Sequence, residues 1–162
     1  MANLQRLLPI FAAVCLLAGA AIAADVEFQV EGRVYCDNCR AGFITNITEY
    51  IEGATVRLQC THFPDDKVEH SVEAVTGAGG YYTIVVPNDH EEEVCYVQLV
   101  KSPRADCGEI GDVEGEKARI LLTENSGQAD HRRYANSLGF LKDTALPVCP
   151  ELLKAYALDE EY

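Results

Sequence analysis

Six cysteines lie downstream of an export leader, and that combination constrains the fold more than any other feature of the chain. The leader is read from its layout. Arg6 gives a short positive region, and an apolar stretch runs from Leu7 to Ile22, broken by Pro9 and Gly19. It ends in Ala21-Ile22-Ala23, the small-x-small pattern that precedes a signal-peptidase cut. The stretch is shorter than the roughly 20 apolar residues needed to span a bilayer. Residues 1–23 are therefore expected to be a signal peptide, cut between Ala23 and Ala24, with Cys15 discarded. No later segment is apolar enough for membrane insertion, and no retention signal ends the chain. Secretion to the extracellular space or cell wall is the expected location.

The remaining cysteines are Cys36, Cys39, Cys60, Cys95, Cys107 and Cys149. An even number in an oxidising compartment reads as three disulfides. Six cysteines allow 15 connectivities, and spacing does not choose among them. Cys36-Asp37-Asn38-Cys39 also admits a redox or a zinc reading. Redox chemistry wants a low-pKa thiolate at a helix start, whereas Arg40 to Thr45 contains Gly42 and β-branched residues. Zinc wants a second C-x-x-C or a histidine pair at ligand spacing, and His62, His70, His90 and His131 are scattered singly. No metal and no cofactor are expected.

Period-two alternation marks the strands. Phe28, Val30, Gly32 and Val34 alternate with Gln29, Glu31, Arg33 and Tyr35. Val56, Leu58 and Cys60 share one face of a second strand, and Val68 to Val75 reads as a third. Thr76-Gly77-Ala78-Gly79-Gly80 reads as a hairpin turn into the β-prone run Tyr81 to Val86, which Pro87 stops. Val94 to Val100 and Ala118 to Leu122 complete the strands. Residues 101–117 and 123–136 read as exposed, mobile loops, and Glu151 to Leu158 as one or two helical turns. Short strands without long helical patterns predict an all-β fold, a small antiparallel β-barrel or sandwich. The chain reads as one domain over residues 24–158, with a flexible acidic tail over 159–162.

The formal net charge of −13 argues against nucleic acid and anionic membranes as partners. Loss of the leader, which carries Arg6 and no acid, makes the chain more acidic still. Asn46-Ile47-Thr48 is a glycosylation sequon in an exported chain. Catalytic patterns are poor: Ser71, Ser102, Ser126 and Ser137 lie in no G-x-S-x-G elbow. Asp89-His90-Glu91-Glu92-Glu93 reads as a solvated acidic loop. Tyr81, Tyr82, Tyr96 and Tyr134 read as core or half-buried sheet positions, with at most one of Tyr81 and Tyr82 facing solvent. No catalytic residue is assigned, and a non-enzymatic binding protein is the expected class.

The block Gly32-Arg33-Val34-Tyr35-Cys36-Asp37-Asn38-Cys39-Arg40-Ala41-Gly42-Phe43 closely resembles the hallmark of the plant pollen proteins related to the olive allergen Ole e I. The likeness continues through Glu52 to Val56, Asp89-His90, Cys95, Lys101-Ser102-Pro103 and Cys107. It ends in Tyr134 to Phe140 and Leu146 to Cys149, so it covers nearly the whole expected mature chain. The resemblance implies a barrel-like fold of about seven strands. It also implies the bridges Cys36–Cys107, Cys39–Cys149 and Cys60–Cys95. Its functional implication is a secreted pollen or anther protein, monomeric, that contacts an extracellular protein or cell-wall partner during pollen hydration, germination or tube growth. Several members of the family are human allergens. The alternatives are a structural wall-associated protein and, further off, an extracellular hydrolase or enzyme modulator.

Overall fold

The computed structural model describes residues 26–62, 65–111 and 117–156. The expected signal peptide, its cut at Ala23–Ala24 and the acidic tail lie outside those residues.

Among the described residues ten strands form two sheets, and the first strand organises one of them. In β1 (Glu27–Asp37), Phe28, Val30 and Val34 point inward and are fully buried. The strand is long enough to serve two sets of partners. Its first half pairs with β5 (Tyr81–Pro87) on one edge and with β9 (Arg132–Tyr134) on the other. Its second half pairs with β2 (Glu49–Tyr50) and β10 (Leu138–Lys142), and β10 carries β7 (Cys107–Glu109). The second sheet runs β4 (Lys67–Val75), β3 (Thr55–His62), β6 (Glu93–Lys101) and β8 (Lys117–Ile120). The core lies between the sheets. Phe28, Val30, Ile84, Val86 and Phe140 from one meet Val56, Leu58, Val97, Leu99 and Ile120 from the other. Each large apolar side chain so buried contributes about 1.5–3 kcal/mol.

Seven of the strands have four or more residues, and β2, β7 and β9 are shorter. Most pairings are antiparallel, but β1 pairs in parallel with both β9 and β10. Those two strands reach β1 after long connections, which is what parallel pairing requires. The stretches expected to be mobile loops are therefore partly ordered into β7 and β9. The glycine cluster also departs from expectation. Ala78–Gly80 forms a 3-10 turn that carries the chain from β4 in one sheet to β5 in the other, so it does not close a hairpin. Gly80 has a φ of 73°, and a Cβ there would stand 2.4 Å from the Val34 carbonyl oxygen. Only glycine allows that crossing so close to β1.

Three disulfides cross the fold. Cys36 in β1 bonds Cys107 in β7, with Cα atoms 6.0 Å apart. Cys39 bonds Cys149 at the start of helix α1 (Cys149–Lys154), with Cα atoms 5.4 Å apart. Cys60 and Cys95 face each other across β3 and β6, with Cα atoms 4.0 Å apart. The helix starts before the stretch expected from sequence, since Pro150 stands at a first-turn position that needs no N–H donor. Its last turn is anchored by Tyr156, whose ring lies 5.6 Å from that of Phe43 and whose hydroxyl accepts from the Asn46 N–H.

Candidate functional site

The alternation that buries Phe28 and Val30 turns Glu27, Gln29, Glu31 and Arg33 outward. Strand register then decides their neighbours. On the β5 side Tyr81 lies beside Arg33, Thr83 beside Glu31 and Val85 beside Gln29. On the β9 side Tyr134 lies beside Glu31 and Arg132 beside Gln29. Tyr134 is 70% exposed and Tyr81 57%. Of the tyrosines expected in core or half-buried positions, Tyr82 is buried and Tyr96 half-buried. Tyr81 and Tyr134 stand in solvent instead, because β5 and β9 each have one face turned outward.

The exposed groups are held firmly. The Arg33 guanidinium lies 3.2 Å from the centre of the Tyr50 ring and 4.1 Å from that of Tyr81. Its Nε and Nη2 donate to the Gly79 carbonyl at 3.2 and 3.0 Å. Such cation–π contacts contribute about 0.5–1 kcal/mol at exposed sites. Glu31 accepts from Gln29 Nε2 at 3.0 Å and faces Arg132 Nε at 3.4 Å. Between Tyr81 and Tyr134 lies a shallow cleft of about 210 Å3, lined also by Glu31, Gly32, Arg33 and Ser137.

Beneath Tyr134, the neighbouring Arg133 points inward and is 4% exposed. Its Nε donates to Leu121 O, Nη1 to Asp130 O and Arg132 O, and Nη2 to Thr123 O and Ser126 Oγ. A guanidinium has five N–H donors, and this set uses them all. They fasten the 121–132 connection to β9. Within His131-Arg132-Arg133 nothing in the sequence separates the buried arginine from a solvated one. Behind Gly32, the buried Tyr82 hydroxyl has no hydrogen-bond partner among the described residues. Burial pushes its phenol up from the ordinary range.

The other sequence candidates fall elsewhere. Cys36 and Cys39 bond different partners, so C-x-x-C is a branch point between two bridges and not a dithiol pair. Asp37, 1% exposed, shapes the turn by accepting from the N–H groups of Cys39 and Gly42. The 89–93 loop is less solvated than its composition suggests. His90 is buried to 9% exposure, with Nδ1 3.0 Å from Glu93 Oε1 and Nε2 3.0 Å from Pro87 O. Asp89 and Glu91 accept from Glu124 N and Asn125 Nδ2, tying this loop to the one after β8. His90, Glu93, Cys60 and Cys95 place four donor atoms within 4.8 Å of one another. Both sulfurs are spent in the disulfide, so the cluster is not a four-ligand metal centre. Asn46 is exposed in a turn before β2. Among the described residues no serine hydroxyl is hydrogen-bonded to a histidine.

Around β7, Asp106 accepts from Arg104 and Lys142, and Arg104 also reaches Glu49. These bonds hold the Asp106 carboxyl well below the usual carboxylate range. Arg40 bonds both oxygens of Glu109 and lowers its carboxyl likewise.

The family model of pollen proteins like Ole e 1 matches residues 26–157. A pollen-specific protein, C13, of Zea mays is 49% identical over 150 residues, covering 91% of this chain and 88% of that protein. The pollen allergen Che a 1 of Chenopodium album is 43% identical over 158 residues, covering 95% of this chain and 94% of the allergen. The crystal structure of the major plantain pollen allergen Pla l 1 superposes with a TM-score of 0.69 at 33% identity. It spans 76% of this chain and all of that one.

Proposed function

The chain belongs to the family of pollen proteins like Ole e 1, and from that premise we propose that it is a secreted, non-enzymatic pollen or anther protein that works by contact with a cell-surface or wall partner. The observation that carries this reading is the β1–β5–β9 face. It presents Tyr81 and Tyr134 to solvent on rigid strands, with Arg33 clamped between Tyr50 and Tyr81. Exposed aromatic rings fixed by a scaffold form contact area at little conformational cost. Pollen hydration, germination or tube growth is the setting. The relatives named as pollen allergens support an allergen role for this chain as well.

Labelled mature protein applied to germinating pollen tubes tests the reading. Saturable binding, displaced by unlabelled protein and weakened in a Tyr81→Ala/Tyr134→Ala variant, is expected. Non-saturable binding, or saturable binding indifferent to both tyrosines, overturns it. Salt washing of pollen walls separates this function from a structural wall component, which resists extraction.

A further inference from the structure

Resting on the contact-face reading above, we propose that the β1–β5–β9 face binds a neutral polysaccharide, laid obliquely across β1 from Tyr81 to Tyr134. The composition of the face favours sugar over protein. Protein hot spots are well-packed, desolvated pockets surrounded by contacts that exclude water. Here the centre is Glu31, ion-paired with Arg132, and Val85 and Pro87, towards the far end of β5, are the aliphatic members of the outward rows of β1, β5 and β9. A pyranose ring offers apolar C–H faces and a rim of hydroxyls that both donate and accept. Tyrosine faces carry the negative side of the ring quadrupole and suit those C–H groups. The Gln29 amide, the Glu31 carboxylate and the Thr83 hydroxyl supply donors and acceptors for the rim.

The geometry points to a chain and not to a single sugar. Tyr81 and Tyr134 sit on opposite sides of β1, so their strands are about 10 Å apart. They are also offset along it, beside Arg33 and Glu31 respectively. One ring cannot rest on both, whereas successive units of one chain can. The cleft of about 210 Å3 between them is smaller than the roughly 300–1,000 Å3 of drug-sized ligand pockets. It takes part of an extended ligand and cannot enclose one. The stack on Arg33 orders the Tyr81 ring, and the five bonds of Arg133 fix the strand that carries Tyr134, before any ligand arrives, which lowers the ordering cost of binding.

Charge selects against acidic polysaccharides. The net charge of −13 repels a polyanion. The cations of the face are also engaged, Arg33 by Tyr50, Tyr81 and Gly79 O, and Arg132 by Glu31.

Affinity electrophoresis and titration calorimetry with the mature, oxidised protein test the proposal. The probes are soluble xyloglucan, mixed-linkage β-glucan and galactomannan, with polygalacturonate as the polyanion. Saturable retardation by at least one neutral probe is expected, with little change on adding salt. Tyr81→Ala and Tyr134→Ala should each weaken it on the order of tenfold. Tyr96→Ala, on the other sheet, should leave it unchanged. Binding to polygalacturonate alone, to no probe, or equally by the double tyrosine variant overturns the proposal. Pollen-tube binding separates its failure from that of the contact reading. Saturable binding lost after protease but kept after periodate oxidation of surface sugars means a protein partner. In that case the glycan proposal fails and the contact face stands.

Discussion

Arg133 is buried with its guanidinium carbon 4.9 Å from the centre of the Phe28 ring. It is the rivet between β9 and the connection that follows β8. Lysine keeps the charge but lacks the planar fork, so Arg133→Lys leaves several carbonyls of that connection without a donor. Those acceptors belong to exposed or half-buried residues, so each lost bond costs about 0.5–1.5 kcal/mol. The substitution should destabilise by about 2–4 kcal/mol in denaturant melts. A loss under about 0.5 kcal/mol would show that the connection holds without it.

The cysteine bridges predict a sharp asymmetry at the C-terminus. Cys149→Ser opens a bridge of sequence separation 110 and should cost about 2–5 kcal/mol. Tyr156→Ala removes a partly exposed ring contact and should cost less than about 1 kcal/mol. Thiol titration of the denatured, unreduced parent should read near zero. Two reactive thiols per chain, or a Cys149→Ser variant melting with the parent, contradicts the bridging.

Acid should loosen the Asp106 cluster. The folded-state pKa of this carboxyl is depressed from its ordinary 3.8 by Arg104 first and Lys142 second. A depressed acid contributes stability above its unfolded pKa and loses it as the pH falls toward the folded value. Melting temperature should therefore decline as the pH is lowered below about 4. Asp106→Asn should show a shallower decline in that window than the parent. The carboxylate is exposed, so the effect is modest and should shrink in high salt. Parallel pH profiles for the two proteins would refute it.

Gly32 and Tyr82 predict a coupled pair. A Cβ at Gly32 would stand 2.2 Å from the Tyr82 hydroxyl oxygen. Gly32→Ala should cost about 1–3 kcal/mol as an overpacked site. Tyr82→Phe removes that atom, which is buried without a partner, and should be close to neutral. Phe keeps the ring carbons Cζ and Cε1, which would stand 2.4 and 2.9 Å from the new Cβ, so the partner that relieves the strain is Tyr82→Leu, and Gly32→Ala/Tyr82→Leu should lose less than the sum of its singles. A strictly additive cycle would mean that the strain lies elsewhere.

Asn46 is exposed in its turn, and its sequon predicts a glycan when the chain is secreted from plant cells. The protein should run heavier than Asn46→Gln, and glycosidase treatment should abolish the difference. Equal mobility before treatment denies the glycan.

The strands legible in the sequence are β1, β3, β4, β5, β6 and β8, each marked by its own alternation or β-prone run. Tyr81 and Tyr82 had to face opposite ways for the same reason. What alternation cannot reveal is the partner. β7 and β9 are three residues long and polar, and they are strands because β10 and β1 offer them an edge. The glycine turn was visible as a turn, but its change of sheet depends on the contact between Gly80 and Val34, far apart in the chain. The contact face has the same origin. Tyr50, Tyr81, Tyr134 and Arg33 come from four strands, and no local pattern joins them. The acids around His90 suggest a solvated loop, yet they bind the adjoining loop and help enclose the imidazole.

The bond between Cys39 and Cys149 makes the chain between them a closed ring. Peptide hydrolysis at any one point inside that ring, including the connection after β8, opens it without releasing a fragment. A once-nicked molecule should therefore keep its full mass on a non-reducing gel and fall into two pieces only after reduction. Digestion of this protein is in that sense a two-hit process, and its surface can outlast the first cut.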